Sequence, residues 1–235
     1  MKELYENCSK CGAPQDTLNL VCASCGTNLG FPNVRKANLP DEVKALNTRV
    51  QKSEKNAKAT GIYDEFINLM DAVDQQSKVI VSMPVDIALN IVTSINTQFL
   101  NYERLVGAGV QNPAEFANDA HRRVVAGALF ANFGEQIIYG ALSLSERGLS
   151  TYGDIYCVLK EVAIDERTSF LNTNSYEFIE KYGNSNHPAG YRSDWSNRAK
   201  LVGAKLEENA LIRKSQGIKD WEKIILVLRQ LCIDG

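Results

Sequence analysis

Apolar positions recur mostly at helical spacing up to residue 134, after which the pattern turns β-like for a stretch. Val43, Leu46 and Val50 form a narrow stripe, which predicts a helix opening at Pro40 with Asn38 as its cap. Proline suits the first turn because its missing N–H has no partner there, and Asp41 and Glu42 face the positive end of the helix dipole. Ile62, Phe66, Leu69, Met70 and Val73 predict a second helix with a broader buried face. The β-branched run Val79-Ile80-Val81 reads as a short strand, closed by Ser82-Met83-Pro84 as the cap and first turn of the next element. Ile87, Ala88, Ile91, Val92, Ile95 and Phe99 then mark an amphipathic helix. Asn112-Pro113-Ala114-Glu115 has the form of a capping box and predicts a helix running through Arg122-Arg123 to Phe133.

Residues 136–144, 154–160 and 168–171 are rich in β-formers, with Glu146-Arg147-Gly148 as a turn between the first two. Helical spacing returns over 176–182, stopped by Gly183, then over 194–216 and 220–231, where Trp221, Ile224, Ile225, Leu228 and Leu231 share a face. The expected class is α+β, with helices flanking a small antiparallel sheet. Upstream, residues 30–40 carry two prolines and read as an extended strap docked by Phe31 and Val34. The polar length of the 40–60 helix reads as a spacer. Three parts are therefore expected: a cysteine module over 1–30, a linker and helical spacer over 31–77, and a mostly helical α+β domain over 78–235.

Chemistry enters through the cysteines. Cys8 and Cys11, then Cys22 and Cys25, give C-x2-C-x10-C-x2-C, a spacing that lets two tight turns aim four sulfurs at one metal. Gly12 and Gly26 follow the second cysteine of each pair, where the chain turns back with positive φ. The competing arrangement is two disulfides. No apolar leader follows Met1-Lys2-Glu3, so the expectation is a reducing, cytoplasmic setting and a structural zinc ion, with no open position for catalysis. About thirty residues bury too little to fold alone, so metal binding and folding of this module are expected to be one event. The stretches Cys-Ser-Lys-Cys-Gly-Ala-Pro and Val-Cys-Ala-Ser-Cys-Gly-Thr-Asn-Leu resemble the short zinc ribbons that head many microbial cytosolic proteins. That resemblance covers residues 5–30 and implies a metal; ribbons of this kind bind nucleic acid in some proteins and protein partners in others.

Charge bears on the partner. The chain has 26 basic and 28 acidic residues, and its first thirty residues hold only Lys2 and Lys10 as cations, too few to track a phosphate backbone. Lys44, Arg49, Lys52, Lys55 and Lys58 crowd one helix, but Asp41, Glu42 and Glu54 interleave, as on a solvated face. A protein partner is expected ahead of a nucleic acid. No run approaches eighteen apolar residues, so no membrane span is expected, and the 44% hydrophobic content suffices for a sizeable core. Cys157 and Cys232 sit singly in apolar runs and read as small buried hydrophobes.

No P-loop, G-x-G-x-x-G or H-E-x-x-H occurs. The chain has two histidines. His121 beside Arg122 reads as a packing or surface residue, whereas His187 lies in a loop with Arg192, Asp194, Tyr191 and Trp195. Such a loop either binds a ligand or serves as a polar turn anchored by its aromatic residues. Tyr139-Gly140, Leu149-Ser150-Thr151-Tyr152-Gly153 and Glu166-Arg167-Thr168-Ser169-Phe170 resemble segments of ADP-ribosyltransferase-like domains. That resemblance implies NAD as cofactor and Ser150, Thr151 and Glu166 around its nicotinamide end, with His187 and Arg192 as further catalytic candidates; the alternative is two packed strands with ordinary turn residues. Two functions follow. One is a zinc-binding adaptor that contacts a macromolecular partner. The other is an NAD-using transferase or toxin-like effector that the cysteine module targets.

Overall fold

The computed structural model describes residues 5–93, 102–107, 109, 116–185 and 187–207. The far end of the helix expected from Ile87 to Phe99, the capping box at 112–115, the end of the 194–216 helix, the 220–231 helix and Cys232 lie outside the described residues. The described part is α+β, and it falls into two compact units, one drawn from Met1–Gln76 and Ala163–Gly235 and the other from Ser77–Val162.

The first unit opens with a hairpin of β1 (Tyr5–Asn7) and β2 (Pro14–Asp16), antiparallel with Glu6 opposite Gln15. Residues 30–40 are not the extended strap expected from their prolines. Pro32 sits at the start of a short helix, α1 (Pro32–Ala37), and the N–H of Asn38 closes that helix on Val34 and Arg35. Asn38 consequently does not cap the next helix, and its side chain instead donates to Asp194 Oδ2 at 3.2 Å.

Helix α2 (Pro40–Thr60) has the expected proline start and acidic first turn, and it ends at Gly61 in the left-handed conformation. It is no spacer. Glu42, Leu46, Arg49, Ser53 and Ala57 are buried, one per turn along a single face, while Lys44, Lys52, Lys55 and Lys58 stay in water. The apolar stripe understated this face because three of its five buried residues are polar. Its partners come from far along the chain: α8 (Arg198–Ala204) packs on both α2 and α3 (Tyr63–Gln76). Leu46, Leu201 and Ala204 form the buried contact, flanked by Val50 and Phe170.

Strands β6 (Ser169–Leu171) and β7 (Arg192–Asp194) pair antiparallel with Phe170 opposite Ser193. Between them lies α7 (Ser175–Tyr182), whose cap Asn174 accepts the Tyr176 N–H at 2.8 Å. Asp194, expected to open a helix, ends β7; its Oδ1 accepts the Asn197 N–H at 2.9 Å, so the chain turns before α8 begins.

In the second unit β3 (Lys78–Met83) is the middle strand of an antiparallel sheet. Its neighbours are β4 (Ala141–Ser143) and β5 (Ile155–Val158), with Val79 opposite Leu142 and Val81 opposite Cys157. A central strand covered on both faces accounts for the unbroken apolar run. Helices α4 (Val85–Thr93), α5 (Tyr102–Gly107) and α6 (Phe116–Phe130) complete the unit, and Val81, Met83 and Ile87 head its core. The strand expected over 136–144 is shorter than its sequence suggests. The chain stays coiled as a 3-10 helix over Ala131–Gln136, holding Phe133 against Phe130 with ring centroids 5.7 Å apart.

Candidate metal centre

Two turns of the same design build the site. In the first, the Cys8 N–H donates to Ala13 O and the Gly12 N–H returns to Cys8 O, both at 2.9 Å. In the second, the Cys22 N–H donates to Thr27 O at 2.8 Å and the Gly26 N–H to Cys22 O at 2.9 Å. Gly12 and Gly26 hold φ of 72° and 71°, a region other residues enter at a cost. Each turn buries its first sulfur and leaves its second toward water: Cys8 and Cys22 are buried, Cys11 and Cys25 exposed.

The four ligand atoms lie within 4.8 Å of one another, with Cys8 and Cys25 sulfurs 3.8 Å apart and Cys11 and Cys22 sulfurs 3.6 Å apart. None is in a disulfide. A tetrahedral ion with metal–sulfur bonds of about 2.3 Å places its sulfurs about 3.8 Å apart, so the set fits a four-thiolate metal ion.

Electrostatics favour thiolates at two of the sulfurs. The Cys11 and Lys10 N–H groups hold the Cys8 thiol below its ordinary pKa. At Cys25 the Thr27 hydroxyl, 3.2 Å from the sulfur, and the Thr27 N–H pull the value down to about 6. At Cys11 the Ala13 N–H also pulls down, but the Cys25 sulfur, burial and the sulfurs of Cys22 and Cys8 together push it up to about 12. Four sulfurs this close cannot all be anionic without a cation among them.

Two residues that the spacing argument did not reveal hold the module together. Gln15 is buried and bridges the turns: its Nε2 donates to Pro14 O at 2.8 Å, and its Oε1 accepts the Ala23 N–H at 2.9 Å. Arg35, on α1, donates to Thr17 O at 2.7 Å, Asn19 O at 3.3 Å and Gly30 O, and pairs with the Glu6 carboxylate. Neither residue belongs to a recognisable motif; each acts across loops that only the folded chain brings together.

The other candidates fall into both units. Ser150 and Thr151 are exposed on a 3-10 turn of the Ser77–Val162 unit. Glu166, His187 and Arg192 belong to the first unit, and Glu166 is exposed there. His187 and Arg192 do meet: Arg192 Nη2 donates to His187 Nδ1 at 2.9 Å, and His187 Nε2 lies 3.1 Å from Gly183 O. That pattern assigns the imidazole proton to Nε2. Beneath them Glu42 Oε2 accepts the Gly190 N–H at 2.6 Å. Burial raises the Glu42 carboxyl and lowers Arg192, each opposed by the attraction between the two. Arg49 stacks 3.7 Å from the centroid of Tyr191 and donates to Gly190 O at 2.6 Å. Within this loop His187 and Arg192 thus pair with each other, and Gly190 and Tyr191 contact α2.

No helix among the described residues is long and apolar enough to cross a membrane. Compared with protein-family models, with curated proteins and with solved structures, the chain matches none of them.

Proposed function

We propose that the chain is a zinc-binding interaction protein whose four-cysteine module is a structural zinc ribbon that contacts a protein partner. The observation that carries the reading is the closure of four sulfurs within 4.8 Å. Four thiolates select a borderline-soft ion and fill its tetrahedron, which leaves no position for a reacting water. The outer surface of the module bears the exposed apolar side chains of Tyr5, Leu20 and Val21, and Lys10 is the only cation among its described residues 5–30. An apolar surface poor in cations suits a protein contact better than a phosphate backbone.

The test begins with metal analysis of the purified chain. One zinc per chain, lost in Cys22→Ser, is the expected result; iron, or no metal after reconstitution under reducing conditions, would displace the zinc assignment. Capture experiments then compare zinc-loaded wild type with Val21→Glu, which retains metal and is expected to lose the partner. NAD turnover by the zinc-loaded protein, abolished by Glu166→Gln, would replace the adaptor reading with a transferase.

A further inference from the structure

Arg35 stands between the cysteine module and the rest of its unit. Its guanidinium gathers three carbonyls and one carboxylate from separate stretches of the module: Glu6 on β1, Thr17 and Asn19 after β2, and Gly30 beyond the second turn. These groups share one cation only when the module is closed, because only closure brings residues 6, 17, 19 and 30 together. The same short helix is fastened on its other side to the body. Asn33 Nδ2 donates to Arg167 O at 2.9 Å and to Ser169 Oγ at 3.0 Å, at the start of β6. The Arg167 guanidinium lies 5.1 Å from the centroid of the Phe31 ring, and Asn38 reaches Asp194 on β7. Helix α1 is therefore a clip with one face on the cysteine module and the other on the β6–β7 strand pair.

We propose that Arg35 couples metal loading to the seating of α1 on β6–β7, so that the metal state of the four cysteines is read out at this strand pair of the body. The inference rests on the metal reading above. Closing the module around an ion assembles the carbonyl and carboxylate acceptors, which hold Arg35 and with it Asn33. Opening the module disperses them and leaves the clip held by its body contacts alone. Coupling of this kind is reciprocal: a weaker hold on the body weakens the hold on the metal.

The experiment is a double-substitution cycle on the full chain, with zinc affinity measured by chelator competition after metal content has been established. Arg35→Ala is expected to weaken zinc binding about tenfold, in line with the loss of charge-assisted hydrogen bonds. Asn33→Ala, which removes the side-chain bonds to Arg167 and Ser169 on the body, is expected to weaken it about threefold in the wild-type background and not at all in the Arg35→Ala background. Hydrogen exchange at residues 167–171 is expected to rise on zinc removal in wild type and to start high in Arg35→Ala. If Arg35→Ala does not fold, Arg35→Lys, which keeps the charge and loses the planar fork, takes its place in the cycle. Unchanged zinc affinity in both single variants, or an equal Asn33→Ala effect in both backgrounds, overturns the coupling while leaving the metal site intact. A wild-type chain that binds no zinc overturns both, and the initial metal analysis identifies that case.

Discussion

Arg49→Ala tests whether α2 is an integral wall of the fold. The Arg49 side chain is 10% exposed, and its partner Glu207 is 14% exposed at an N–O distance of 2.9 Å. Arg49 also donates to Gly190 O at 2.6 Å and to Ala204 O at 3.4 Å, and lies on the Tyr191 ring. Removing one member of a buried ion pair costs about 3–5 kcal/mol because the other charge is left unpaired. The lost bond to Gly190 O adds about 1–3 kcal/mol where water cannot replace it. The void left by alanine admits water to Glu207, so we expect the net loss to be about 4 kcal/mol, a large share of the 5–15 kcal/mol typical of a domain. Urea unfolding followed by the fluorescence of Trp195, which is buried in the same unit, reads the change. The paired replacement Arg49→Met with Glu207→Met is expected to recover most of the loss, since no unpaired charge then remains. A loss below about 1 kcal/mol for Arg49→Ala, the size of an exposed pair, would refute the argument and return α2 to the role of a solvated spacer.

Gly190 holds φ of 84°, and a Cβ there would lie 2.7 Å from the backbone of Ala45 and Leu46, so Gly190→Ala is expected to cost at least about 2 kcal/mol in the same assay. Gly183→Ala, with φ of 77° and nothing within 4 Å of its Cβ, should cost about half as much. Burial holds the Glu42 carboxyl above its ordinary range, against the Gly190 N–H and Arg192. Its stabilising contribution is therefore complete below its unfolded pKa of about 4.3 and falls as pH rises through the folded value, so urea midpoints of wild type should decline relative to Glu42→Gln over that interval. A chelator should strip one metal from wild type and from Cys157→Ser alike, because Cys157 faces Met83 in the other unit, whereas Cys22→Ser should hold none.

What could be read from the sequence depended on how far apart the interacting residues lie. The cysteine module was legible because its four cysteines fall within eighteen positions, each pair is made by one turn, and the spacing is the one a shared metal would require. Strand β3 was legible because a covered central strand leaves a run of β-branched residues. The packed face of α2 was not. Its partners, Gly190, Ala204 and Glu207, lie 141 to 158 positions away, and they pair with an arginine, a serine and a glutamate that local pattern assigns to water. This contact joins described residues of 31–76 to those of 163–207, which share a compact unit with the cysteine module.

Two kinds of polar residue in this chain differ in how they can be recognised. The four cysteines that could hold a metal stand out because an ion would impose one geometry on whatever sequence surrounds it. Those that hold the module to the body, Arg35 and Asn33, answer mostly to backbone carbonyls, with one hydroxyl and the Glu6 carboxylate, groups that no spacing marks. An arginine that donates to three carbonyls of neighbouring loops is stabilised by their arrangement, and the arrangement follows from the turns the cysteines close. The cysteine module and the body are therefore linked by backbone geometry more than by side-chain identity, so Arg35 could not be found by motif even though the four cysteines could.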